Sequence, residues 1–132
     1  MTIIPSIIMM DFLFVYGTLK SGFGNNTLLK NGFFVSQAKT YPRFRLYECG
    51  SFPALVKEES GVSIEGELWN IKKHNFLEID EFEGVEIGLY RREQIWLMQP
   101  RVFAHVYLFC RAVSNLLDCG TNWRLTNGFP TT

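Results

Sequence analysis

Glu83 is the residue of this chain whose type and position most suggest chemistry. It lies in "KKHNFLEIDEFEGVE", the best helix candidate, expected over residues 74–83 and stopped by Gly84. At about 100° per residue, Phe76, Ile79 and Phe82 fall on one side of that helix, and Glu78 and Glu81 on the other. Glu83 comes seven residues after Phe76 and four after Ile79, so it shares the apolar side. Burial there disfavours a negative charge, and so does the negative end of the helix dipole. Its pKa is therefore expected to be raised, which suits a general base or acid near neutral pH. A second reading stands beside this: the carboxylate frays into solvent or pairs with Arg91 or Arg92.

The stretch "FVYGTLKSGFGNN", residues 14–26, is the other candidate. An apolar strand stops at Gly17 and leaves backbone N–H groups unpaired at its end, where they can hold a carboxylate or a carbonyl oxygen. Gly17 permits close approach and Tyr16 can form a wall; a tight turn with water on each amide explains the pattern equally well. A phosphate loop does not. Gly17 and Gly22 have the G-x-x-x-x-G spacing, but Phe23 and Gly24 stand where lysine and a hydroxyl are needed. Gly22 and Gly24 do not continue into G-x-G-x-x-G, because position 27 is Thr. There is no G-x-S-x-G, and neither His74 nor His105 has a recognisable nucleophile partner or metal-ligand spacing. The histidines read as packing or surface residues, and no metal or cofactor is expected.

These residues need a scaffold of short strands. Strands are expected at 12–16, 33–35, 44–47, 54–58, 63–71, 89–98 and 102–111, and a short helix at 25–30 capped by Asn25 or Asn26. "ESG" reads as the turn of a hairpin joining 54–58 to 63–71, and "QP" as the turn of one joining 89–98 to 102–111. The last strand is apolar at nearly every position, so both of its faces are expected to be covered, as in a closed barrel or a covered sheet. Residues 20–24 read as a solvated connection.

With 132 residues, 47% hydrophobic and 15% aromatic, the chain suits one domain with a real core. Its 13 basic and 13 acidic residues cancel, which argues against a field for nucleic acid or anionic lipid. Cys49, Cys110 and Cys119 are odd in number and widely spaced, which fits reduced thiols and a cytoplasmic protein. Residues 1–11 read as an extension, either disordered or an early start, with an edge strand or docking arm as the functional alternative; residues 12–132 read as the single domain. "MTIIPSIIMM" lacks the basic region and cleavage site of a signal peptide and is too short to span a bilayer.

Taken in order, "FVYGTLKSG", "FPAL", "GVSIEGELWNI" and "FLEIDEFEGVEIGLYRREQI" resemble the gamma-glutamylcyclotransferase-like family, most closely its small gamma-glutamylamine cyclotransferase branch. The resemblance covers roughly residues 12–112, with a faint echo in "CGTNW". It implies an α+β fold: a small mixed β-barrel with a few short helices packed around it. The family's pocket loop falls on Tyr16, Gly17, Thr18 and Leu19, its catalytic glutamate on Glu83, and Tyr90 becomes a further substrate-binding residue. The implied reaction is a lyase-type cyclisation of a small-molecule gamma-glutamyl amine or peptide to 5-oxoproline, with no metal, nucleotide or covalent intermediate. A non-catalytic small-carboxylate-binding module of the same fold is the alternative.

Overall fold

The structure, a computed structural model, describes residues 9–124. Its strands are β1 (Met10–Val15), β2 (Phe33–Thr40), β3 (Phe44–Cys49), β4 (Phe52–Lys57), β5 (Glu65–Lys72), β6 (Tyr90–Gln99), β7 (Phe103–Phe109) and β8 (Leu117–Gly120). A 3-10 segment spans Gly24–Leu29, and another, Lys73–Asn75, runs into the helix α1 (Phe76–Phe82). Five strands close a barrel in the order β1-β5-β2-β6-β7, and β4-β3-β8 form a separate three-stranded sheet. All pairings are antiparallel except the seam, where β1 meets β7 in parallel with Leu13 opposite His105. This is the mixed barrel with short helices that the sequence led us to expect.

The runs of apolar residues in β1 and β7 have a simple cause: each face of these strands meets its own core. Phe14, Tyr16, Ala104, Val106 and Leu108 join Leu46 and Leu55 of the small sheet and Trp123 near the end of the described chain. The alternate residues Leu13, Val15, Tyr107 and Phe109 join Phe76 and Ile79 of α1. A strand sandwiched in this way reads as continuously apolar, with no polar face to alternate. β1 starts at Met10, two residues before the expected strand, and residues 1–8 lie outside the described residues. Among the described residues no helix is long and apolar enough to cross a membrane.

Four local expectations change. The "QP" hairpin forms, with Tyr90 opposite Phe109 and Trp96 opposite Phe103, but the "ESG" hairpin does not. β4 pairs with β3 instead, Leu46 opposite Leu55, while β5 lies between β1 and β2. The chain does turn there, with Gly61 N–H on Glu58 O and Val62 N–H on Phe44 O, and it crosses from the small sheet into the barrel. Second, Asn25 and Asn26 do not cap a helix. Their amides reach back to Thr18 Oγ1 and Leu19 O, at 2.9 and 2.7 Å. Third, Phe82 is exposed, unlike its wheel neighbours Phe76 and Ile79, because α1 ends there and leaves no further turn to pack.

The fourth concerns the segment read as solvated. Lys20 is only 8% exposed. Its ammonium donates to Asn122 Oδ1 and Trp123 O, both at 2.9 Å, and burial lowers its pKa. Ser21 donates through both its N–H and its hydroxyl to Glu67 Oε1, at 2.8 and 3.1 Å. Trp69 Nε1 donates to that same oxygen at 3.1 Å. A loop that looks polar by composition is thus bolted to β5 on one side and to residues a hundred positions later on the other.

Candidate active site

The loop after β1 is turned by a hydrogen bond from Lys20 N–H to Gly17 O at 3.0 Å. Among the described residues, none accepts a hydrogen bond from the N–H groups of Gly17, Thr18 or Leu19. Asn25, which also lines the cavity, and Asn26 tie the loop down by donating to Thr18 Oγ1 and Leu19 O. Gly17 is required by contact: a Cβ there would lie 2.4 Å from Cγ of Pro53 on β4. The proline ring therefore packs directly on the loop backbone.

Glu83 joins the same cavity as the residue that caps α1. Its N–H closes the last turn onto Ile79 O at 2.9 Å. Gly84 then takes φ +68°, a left-handed conformation that ends the helix and costs glycine little. The arginines that could have neutralised Glu83 are engaged elsewhere. Arg92 makes a two-pronged pair with Asp80, at 2.8 and 3.1 Å, and Arg91 bonds Glu93. Burial alone pushes the Glu83 carboxyl up from 4.5 to about 7.

Three tyrosines complete the walls. Tyr16 donates its phenol to Tyr107 O at 2.6 Å, Tyr90 to Pro53 O, and Tyr107 to Asp80 Oδ1 at 2.6 Å. Burial is the first cause that raises all three phenol pKa values, and the Glu83 carboxylate adds to it. They remain protonated near neutral pH, each proton given to the protein itself. Their rings are therefore walls rather than acids.

Tyr16, Gly17, Thr18, Leu19, Glu83 and Tyr90 all line a single cavity of about 190 Å³. The residues singled out from the sequence thus come together in space, although 74 positions separate the ends of that set (90 − 16). Tyr107 and Pro53 also line it and were not chosen from the sequence as site residues. Pro53 stood inside the quoted "FPAL", and Tyr107 was hidden in an apolar run, where its hydroxyl was the only sign. Tyr107 continues into a polar chain: Asp80 binds Arg92, Arg92 lies 3.2 Å from His105 Nδ1, and His105 Nε2 lies 3.1 Å from Asp11. No group of three or more His, Cys, Asp or Glu side chains is arranged to hold a metal among the described residues.

This cavity is lined by a near-neutral carboxyl, by aromatic rings and by three loop residues whose N–H groups meet no acceptor among the described residues. Such a set can bind a small zwitterion and move a proton. Comparison with known proteins points the same way. The sequence profile described as "Gamma-glutamyl cyclotransferase, AIG2-like" matches residues 13–125. A candidate gamma-glutamylcyclotransferase of Vibrio cholerae is 32% identical over 112 residues, 85% of this chain and 95% of that protein. One from Methanocaldococcus jannaschii is 29% identical over 115 residues, 84% of this chain and 94% of that protein. An AIG2-like protein from Mus musculus superposes with a TM-score of 0.71 at 25% identity, over 78% of this chain and 80% of that one. A uropathogenic Escherichia coli-specific protein has a TM-score of 0.75 at 20% identity, over 90% of this chain and 96% of that one, a likeness of fold alone.

Proposed function

This chain belongs to the gamma-glutamyl cyclotransferase, AIG2-like family, and on that premise we propose that it converts a gamma-glutamyl amine or peptide into 5-oxoproline and a free amine. The observation that carries the reading is the Glu83 carboxyl, raised to about 7 by burial, in one cavity with the Gly17–Leu19 amides. A carboxylate that simply packed against a helix end would be neutralised by an arginine or left in water. A pure binder of an acidic ligand gains nothing from a second carboxylate in its pocket.

The steps follow from the groups present. Ionised Glu83 takes a proton from the substrate's α-ammonium, since only the neutral amine is a nucleophile. That nitrogen attacks the γ-carbonyl carbon, and the carbonyl electrons move onto oxygen. As the carbonyl re-forms, the bond from the γ-carbon to the amide nitrogen breaks. Glu83 returns its proton to that nitrogen, then takes the second proton from the attacking nitrogen and passes it on, so the amine departs as its ammonium and 5-oxoproline keeps a single N–H. The N–H groups of Gly17, Thr18 and Leu19 serve the substrate carboxylate or the oxyanion. Tyr16 and Tyr90 confine the chain to the bent shape that a five-membered ring requires. The same proposal takes the protein to be cytoplasmic, in keeping with its scattered cysteines.

The test is release of 5-oxoproline from a panel of gamma-glutamyl amines, gamma-glutamyl dipeptides and ε-(gamma-glutamyl)-lysine. Glu83→Gln keeps the side chain's volume and removes the proton carrier, so turnover should fall by roughly 10²–10⁴-fold. A variant as fast as the parent would remove Glu83 from the mechanism. No turnover of any compound, with binding of 5-oxoproline or glutamate, would leave the small-carboxylate-binding module.

A further inference from the structure

Glu83 can carry a proton between two substrate nitrogens only if its carboxyl stands at a fixed point in the cavity. The helix that bears it is poorly equipped for that. α1 has seven residues, fewer than hold a helix by themselves, and the side chain of its N-cap residue, Asn75, makes no capping bond. Its last turn holds no basic residue to meet the carbonyl end. Where Glu83 stands is therefore decided by what α1 rests on.

Phe76 and Ile79 are buried beneath the helix, whereas Leu77 and Phe82 are exposed. The polar part of the seat is one side chain of β6. The Arg92 guanidinium lies 4.7 Å from the centroid of the Phe76 ring and makes two bonds to Asp80, at 2.8 and 3.1 Å. Phe76 and Asp80 are four residues apart and share a face, so a single planar group spans one turn of the helix. β7 supports this grip twice. Tyr107 donates to Asp80 Oδ1, and His105 sets its ring 4.7 Å from that of Phe76 with Nδ1 3.2 Å from the guanidinium. Asp80 in turn holds the segment that contains Glu83, since its carbonyl accepts from Val85 N–H at 3.1 Å.

Neither Arg92 nor Asp80 lines the cavity. Burial is what raises the Glu83 carboxyl, so Arg92 does not act on it through charge. An ion pair that water still reaches, with 27% and 21% of the two side chains exposed, adds little stability by itself. What the fork and the stacked ring add is direction.

We infer that Arg92 is a positioning residue: gripping α1 through Phe76 and Asp80, it sets where Glu83 stands in the cavity, and it touches no substrate. This rests on the cyclotransferase reading and adds to it a residue outside the cavity. With the grip released, the end of α1 is free to lift and Glu83 moves toward water.

The experiment measures kcat and KM per folded molecule from pH 5 to 9, for the compound of the panel above that the parent cyclises fastest. A carbon-13 NMR titration of the Glu83 carboxyl accompanies it. The titratable side chains that bear on Glu83 are Tyr16 after β1, Tyr90 of β6 and Tyr107 of β7, all protonated in this range. Beyond them lie the Asp80–Arg92 pair, His105 with Asp11, and Cys49 beside Tyr90. In Arg92→Met, kcat should fall about 10- to 100-fold, the cost of a displacement of about 1 Å, while KM changes less than about twofold. The Glu83 titration should move from about 7 toward 4.5. Arg92→Lys keeps the charge but cannot fork or stack, so it should recover only part of the loss. Asp80→Asn should lower kcat in the same way, and it carries the comparison if the Met variant does not fold. Arg91→Met removes the neighbouring charge, which bonds Glu93 instead, and should match the parent. Parental kcat in the folded variants overturns the inference, as does an equal loss in Arg91→Met or a Glu83 titration that stays near 7 in Arg92→Met. If the parent releases 5-oxoproline from no compound of the panel, the cyclotransferase reading falls, and the titration still decides whether Arg92 seats Glu83.

Discussion

Burial of Glu83 makes a prediction that needs no substrate. Moving a carboxyl from 4.5 to about 7 costs its ionised form about 3 kcal/mol, at about 1.36 kcal/mol per pH unit. Partial solvent contact lowers that to about 2–3 kcal/mol. The folded-state pKa lies above the unfolded value, so protonated Glu83 is compatible with the fold and ionised Glu83 opposes it. The stability it permits is fully present below pH 4.5 and is lost as pH rises through about 7. Glu83→Gln carries no such charge. The variant and the parent should therefore differ by a constant at pH 4. From there the variant should gain steadily on the parent up to about pH 7–8 and then level off. For a chain of this size, about 2–3 kcal/mol is a Tm difference of roughly 6–12 °C. Calorimetry or circular dichroism at half-unit pH steps measures it, and comparing two proteins in each buffer cancels every other titrating group. A gap that does not change with pH would mean that Glu83 is solvated, and one that widens toward acid that it is paired with a cation; either would refute its unpaired burial.

Other outcomes follow from the same geometry. If Glu83 is the base, kcat/KM should fall about tenfold per pH unit below about 7 and level above it, where an exposed glutamate would place that limb near 4.5. Lys20→Met leaves the Trp123 carbonyl and the Asn122 side chain without their donor and should cost ~1–3 kcal/mol in chemical denaturation. Tyr107→Phe keeps the cavity wall and loses only the bond to Asp80. Denaturation should report about 1 kcal/mol of destabilisation, since Arg92 still holds Asp80.

The sequence made the barrel legible where a residue's surroundings are set by a local pattern. β1 and β7 are apolar on both faces because both faces are covered, and the "QP" turn joins strands that are neighbours in space as well as in sequence. Glu83 was legible because a carboxylate on an apolar helix face is a local contradiction. What failed depended on distant partners. "ESG" is a turn by any local rule, yet β4 finds its mate in β3, and no residue within the turn encodes that choice. Lys20 looked solvated because its acceptors lie at positions 122 and 123. Asn25 and Asn26 have the chemistry of helix caps but spend it on the pocket loop. Phe82 obeyed the helical period and still reached solvent, because a periodic argument does not know where the helix stops.

The parallel seam of the barrel has a consequence in time. Tyr16, just past the end of β1, and Tyr107 of β7 line the same cavity and are joined by a hydrogen bond across 91 residues, and their two strands meet only when the barrel closes. Contacts so distant along the chain form slowly, because the loop entropy must be lost before they give anything back. A nascent or partly refolded chain can hold the β6–β7 hairpin and the β3–β4 pair, both local, and still have no pocket. On dilution from denaturant, backbone signals should recover ahead of any ligand binding, and the site should be born whole, at the moment the first strand finds the seventh.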